Sequence, residues 1–150
     1  MKIVQAPNEV LSQKAKPVKK IDAEIKKLLK DMEKTLQSAS DPEGVGLAAP
    51  QIGVSLQIFI ARENPKDPLF ICLNPEIKNF FDEKTKKSHP AITQKSPTSA
   101  KKEREKGVQL EGCLSLKDVW GVVKRHKRLV LSYQDEQGKK HTKTFDGFMA

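Results

Sequence analysis

The residue pattern predicts an α+β fold, antiparallel sheets around one central helix, and three observations carry that expectation. Ile21, Ile25, Leu28, Leu29, Met32 and Leu36 recur at helical spacing with lysines and glutamates between them, the pattern of an amphipathic helix. Short apolar, β-branched-rich runs at 56–61 and 69–73 are bounded by Asn64, Pro65, Pro68 and the pair Asn74-Pro75, turn formers that delimit strands. Farther on, 129–133 and 143–145 alternate around Asp135-Glu136-Gln137-Gly138, which reads as a hairpin closed by a glycine-containing turn.

Taken in order, Ile3-Val4 and then Pro7-Asn8 indicate an extended start and a turn, with Asn8 capping a brief helix that includes Val10 and Leu11. After Pro17, Asp22 stands where it can cap the main helix, expected over about 23–38. Its lysines 26, 27, 30 and 34 read as a solvated face rather than a phosphate-binding one. The stretch 44–53 packs three glycines and two alanines into ten residues, and small residues let a backbone approach something closely. Its spacing matches neither G-x-G-x-x-G nor G-x-x-x-x-G-K-[ST]. A tight turn and a ligand-facing loop fit these residues equally. Gln51 lies within it, a carboxamide able to donate from an apolar wall.

Cys72, in the second short strand, reads as a small buried hydrophobe. From 82 to 106 the composition turns to Lys, Ser, Thr, Pro and Glu, with eight basic and four acidic residues. A solvated, disordered basic insertion is expected there. It lacks the interleaved aromatics that stack on bases, so charge alone is a weak case for RNA. Residues 107–110 lead into Glu111-Gly112-Cys113-Leu114-Ser115, and 119–123 surround the single tryptophan, Trp120.

Composition bounds what these elements can build. At 150 residues the chain fits a single domain with a real core. Apolar residues make up 37%, aromatics 5% and charged residues 31%, with a formal charge of +9. That charge favours an anionic partner, but nearly half of the excess lies in 82–106. Two cysteines and no leader-like N-terminus point to a reducing cytoplasmic setting. No apolar run approaches the roughly 20 residues that span a bilayer. Neither a membrane nor DNA is expected as a partner.

Two separated motifs agree on a family. Gly44-Val45-Gly46-Leu47-Ala48-Ala49-Pro50-Gln51 resembles the first signature of peptide deformylases, and Glu111-Gly112-Cys113-Leu114-Ser115 resembles the second. Each alone is modest; in this order they are specific. The likeness extends to the early helix, Asn74-Pro75-Glu76, Arg125 and the hairpin before Phe145. It implies a peptide deformylase-like fold and hydrolysis of the N-formyl group from the formylmethionine of newly made proteins, with N-formylmethionyl nascent peptides, and so the ribosome, as partners. It further implies a divalent metal, commonly iron(II), with zinc, nickel or cobalt as alternatives, that acidifies a bound water. By the same resemblance Cys113 supplies a metal-ligating thiolate, while the Gln51 side chain and the Leu114 backbone N–H stabilise the oxyanion. Gly44, Val45, Gly46 and Gly112 line a groove in which an extended peptide adds as a strand. Leu47 is expected in the core.

The family's third signature, H-E-x-x-H on a helix, does not occur in these 150 residues. His89, His126 and His141 are each isolated, and Asp146-Gly147-Phe148-Met149-Ala150 resembles only the lead-in to that helix. One thiolate is too few ligands for a catalytic metal. The expectation is therefore a C-terminally incomplete deformylase that does not retain metal and is inactive by itself. Two other readings stand beside it. One is a catalytically dead deformylase-like protein binding nascent peptides or ribosomal RNA. The other is a metal-free cysteine nucleophile at Cys113, which lacks a histidine placed to activate it.

Overall fold

The computed structural model describes residues 1–40, 44–64, 66–81, 110–121, 123 and 125–146. The expected insertion at 82–106 and the last four residues lie outside the described residues.

A brief helix α1 (Glu9–Ser12) begins at Asn8, whose side chain accepts the Val10 N–H at 3.1 Å. The main helix α2 (Ala23–Gln37) begins at Asp22, whose carboxylate accepts from the Glu24 and Ile25 N–H groups, both at 3.1 Å. Such a cap satisfies donors that the first helical turn leaves without partners. The helix ends one residue before the expected boundary, with Ser38 as its C-cap. Its buried face is Leu29, Met32, Thr35 and Leu36. Met32 and Leu36 are fully enclosed, and each such side chain contributes about 1.5–3 kcal/mol of burial.

That face packs on a five-stranded sheet made of β1 (Gly46–Ala48), β2 (Ile58–Ala61), β3 (Phe70–Phe81), β6 (Arg128–Gln134) and β7 (Lys140–Asp146), in the order β1-β2-β3-β6-β7. Every neighbouring pair is antiparallel. The alternation of strand residues between faces divides the apolar set in two. Leu47, Ile58, Ile60 and Leu73 meet Leu29, Met32 and Leu36 of α2. On the opposite face Cys72, Leu131 and Phe145 gather with Phe59, Phe70, Leu129 and Tyr133. There Phe70 packs edge-on against Tyr133 and Phe145, with ring centroids 4.9 and 5.1 Å away, a favoured arrangement for aromatic pairs. A separate two-stranded sheet pairs β4 (Glu111–Cys113) with β5 (Leu116–Gly121).

The second short strand is longer than the turn formers suggested. Asn74-Pro75 does not end it: β3 runs through to Phe81, with its register against β6 shifted between Leu73 and Glu76. Asn74 adopts φ 51°, a left-handed conformation that asparagine tolerates better than most residues, and so the chain bulges instead of turning. The Asn74 side chain then serves three partners. Its oxygen accepts the Val18 N–H at 2.7 Å, and its Nδ2 donates to the Val18 carbonyl at 2.9 Å and to Gln134 Oε1 at 2.7 Å. Asn74→Ala removes these bonds and leaves a residue less suited to that backbone, so unfolding in urea should show a loss of about 2–3 kcal/mol. A loss below about 0.5 kcal/mol would show that the bulge does not depend on Asn74.

The hairpin of β6 and β7 turns at Asp135–Gly138 as expected, and Gly138 has φ 84°. Asp135 holds the turn: Oδ1 accepts the Gln137 and Lys139 N–H groups at 3.0 and 2.9 Å, and Oδ2 pairs with His141 Nε2 at 2.6 Å. His141 bonding, followed by the two backbone N–H groups, lowers the Asp135 pKa below its ordinary value. A carboxyl depressed in the folded state stabilises above its unfolded pKa and loses that contribution as pH falls through the folded one. Asp135→Asn should therefore lower Tm at neutral pH, and the gap from wild type should close as acid protonates Asp135. A gap of constant size down through that range would show that the carboxylate charge is not what the turn uses.

Candidate active site

The stretch 44–53, left open between a turn and a loop, forms β1 and then a 3-10 turn, Ala49–Ile52. Pro50 suits the first turn, where a missing N–H costs nothing. Gly53, at φ 83°, closes it by donating to the Pro50 carbonyl at 3.0 Å. Leu47 is buried, as expected, while Val45 is 39% exposed. Gln51 folds back within its own turn and its Oε1 accepts the Ala48 N–H at 2.8 Å. That bond decides which way the carboxamide faces: the oxygen turns to the backbone and the nitrogen turns outward.

What the nitrogen faces is the second motif. Gln51 Nε2 lies 3.8 Å from Cys113 Sγ and 3.4 Å from Ser115 Oγ. Residues 62 and 64 positions apart in the chain thus converge on one amide. Beyond Cys113 the chain turns at Leu114 and Ser115 before β5. The Leu114 side chain packs against the α2-facing core, which holds its backbone at the site. The N-terminal segment secures both motifs. The Val4 N–H donates to the Gln51 carbonyl at 2.8 Å, Gln5 Nε2 to the Leu114 carbonyl at 2.9 Å, and the Ala6 N–H to the Ser115 carbonyl at 2.9 Å.

The glycines serve close approaches. A Cβ on Gly112 would stand 2.8 Å from the Trp120 ring, and one on Gly44 would stand 2.6 Å from the Leu36 carbonyl oxygen. Gly112 is thus pressed against Trp120 across the β4-β5 pair, and Gly44 lies under the end of α2. Gly46 sits in β1, at the edge of the five-stranded sheet. The Arg62 N–H donates to the Val45 carbonyl at 2.8 Å, so Val45 and Arg62 form a hydrogen-bonded pair. The alternation of an antiparallel ladder then turns the Gly46 N–H and C=O away from β2. Glu111, opening β4, takes both Nε and Nη2 of Arg125 in a two-pronged ion pair. That bonding, foremost, keeps Arg125 more firmly protonated than usual.

The histidines do not join this cluster. His126 stacks on Phe80 with ring centroids 4.3 Å apart. His141 is in the β6-β7 hairpin, stacked on Tyr133 at 5.3 Å, and His89 lies outside the described residues. Among the described residues no three His, Cys, Asp or Glu side chains gather as a metal-binding group. These residues do not by themselves complete a metal site. No helix among the described residues is long and apolar enough to cross a membrane.

The partly exposed site presents one thiol, one oriented carboxamide and an adjacent sheet edge, and comparison with known proteins says what the chain that builds it is similar to. The family model for polypeptide deformylase matches residues 1–150. A peptide deformylase of Desulforudis audaxviator is 33% identical over 148 residues, covering 99% of this chain and 79% of that protein. One of Symbiobacterium thermophilum is 38% identical over 153 residues, but this chain spans only 58% of its length. The crystal structure of a peptide deformylase from Legionella pneumophila superposes with a TM-score of 0.75 at 32% identity, covering 99% of this chain and 73% of that one. The chain belongs to the polypeptide deformylase family, metal-dependent hydrolases, and it has their α+β fold.

Sequence reasoning named Gln51, Cys113 and Leu114, and they converge. It missed Ser115, which stands in the second motif yet drew no role because a lone serine carries no signal. It also missed Gln5, whose part depends on where the N-terminus runs. The two thiols differ sharply in setting. Cys72 is fully buried, and burial pushes its pKa up to about 12, whereas Cys113 is partly exposed. Since the thiolate is the reactive form, iodoacetamide should alkylate Cys113 and spare Cys72 in the folded, metal-free chain. Peptide mass spectrometry should find both modified in denaturant; labelling of Cys72 at the same rate without denaturant would contradict its burial.

Proposed function

We propose that this chain carries the substrate-binding and oxyanion-stabilising part of a peptide deformylase, acting on the N-formyl group of N-formylmethionyl nascent peptides. The observation that supports this best is the convergence of Gln51 Nε2 on Cys113 Sγ at 3.8 Å, which unites the two family motifs in one site. In this reading Cys113 would provide one thiolate ligand to a divalent metal, iron(II) first among the candidates, whose other ligands the described residues do not supply, and that metal would supply an activated water.

The remaining work falls to residues of this chain. A peptide entering as an extended strand pairs with the outward N–H and C=O of Gly46 on the β1 edge, with Val45 and Gly112 beside it. Gly44 serves from behind, by letting β1 approach the end of α2. Attack on the formyl carbon moves charge onto the formyl oxygen. Gln51 Nε2–H and the Leu114 N–H donate to that oxygen, and neither has to reorganise to do so. An oxyanion donor of this kind is worth roughly 2.7–4 kcal/mol of barrier.

Two variants separate the roles. In a parent enzyme that carries the H-E-x-x-H segment as well, Gln51→Ala should lower turnover of a formyl-Met peptide by about a hundredfold or more with bound metal little changed, whereas Cys113→Ala should abolish metal retention. Metal analysis alongside the rate measurement checks this, and equal metal loss in both variants would remove the role given to Gln51.

A further inference from the structure

Ser115 is one of two buried polar residues among those described, 4% exposed, the other being Thr35. Thr35 is accounted for within its helix, where its hydroxyl donates to the Asp31 carbonyl at 2.7 Å. Ser115 instead presents its hydroxyl to the Gln51 amide, at 3.4 Å. A carboxamide held only through Oε1 can still rock about its last torsion, because terminal sp² torsions have broad wells. Gln51 has that single backbone anchor at Ala48, so its nitrogen needs a second one to hold a direction.

We propose that Ser115 is a positioning residue for the Gln51 carboxamide: its Oγ accepts one Nε2–H and leaves the other directed into the site beside Cys113. The serine can serve as an anchor because it is itself fixed. Its carbonyl accepts the Ala6 N–H at 2.9 Å, and the preceding Leu114 carbonyl is held by Gln5 at 2.9 Å. A buried hydroxyl serving only local packing would have no reason to face this particular amide. The catalytic consequence rests on the deformylase reading of Gln51, whereas the geometric claim does not.

The test therefore begins without metal or substrate. In the metal-free chain the two Gln51 Nε2 protons should give well-separated NMR signals that exchange slowly. Ser115→Ala should draw them together and speed their exchange, while backbone resonances of the five-stranded sheet stay in place. Ser115→Thr, which keeps the hydroxyl, should restore the separation. In a parent enzyme that carries the H-E-x-x-H segment and its metal, Ser115→Ala should lower kcat on a formyl-Met peptide by roughly ten- to a hundredfold with KM and metal content unchanged. A Gln51 amide indifferent to Ser115→Ala overturns the proposal, and so does a change that spreads across the sheet, which would mark a general structural role. If the amide responds as expected but Gln51→Ala in that enzyme leaves turnover of the formyl-Met peptide unchanged, positioning stands and the role given to Gln51 fails.

Discussion

The site depends on one constraint, the joining of two separate β structures by a few hydrogen bonds. β1, which leads into the Gln51 turn, belongs to the five-stranded sheet; Cys113 ends β4 of the two-stranded one, with Ser115 in the turn that follows, and no ladder joins these sheets among the described residues. Val4, Gln5 and Ala6 bridge them, bonding to Gln51, Leu114 and Ser115 in turn, and the Gln51 side chain spans the remaining gap. Such a junction is stiff only while each bond has its partner in place, because a net hydrogen bond contributes only about 0.5–1.5 kcal/mol. The N-terminal residues are thus part of the site, although none carries chemistry.

Around that junction the physics divides by burial. On one sheet face α2 seals Leu47, Ile58, Ile60 and Leu73, which makes β1 a rigid edge. At the end of the first motif Gln51 is held by the turn that Pro50 and Gly53 shape and by the Ala48–Gln51 bond. Gly112 is confined to glycine by the Trp120 ring. Both motifs therefore use a glycine, Gly44 or Gly112, for close packing, and their ends bring Gln51, Cys113 and Ser115 together. The exposed ion pair of Glu111 and Arg125 contributes little in water; its use is to hold the start of β4 in place.

Much of the fold was legible because local rules agreed with the final structure. The spacing from Ile21 to Leu36, the Asp22 cap and the turn at Asp135–Gly138 each ask only for neighbours in sequence. The strand through Asn74-Pro75 was not legible, since those residues ordinarily signal a turn. Three hydrogen bonds to residues 56 and 60 positions away held the chain extended instead. The stretch 44–53 was likewise open, because its small residues suit a turn as well as a strand until β2 lies alongside.

For the site, the sequence by itself determined the family and the residue types: two motifs in order were enough to point to Gln51, Leu114 and Cys113. Residue identity carries that information because the two motifs are read from residue types and order alone, whatever their surroundings. Only the tertiary structure decided that Gln51 turns its nitrogen to Cys113, that Ser115 stands beside it, and that His126 and His141 are occupied elsewhere. The first two outcomes depend on contacts between segments more than sixty residues apart, and no local pattern encodes the direction in which a side chain meets a distant partner.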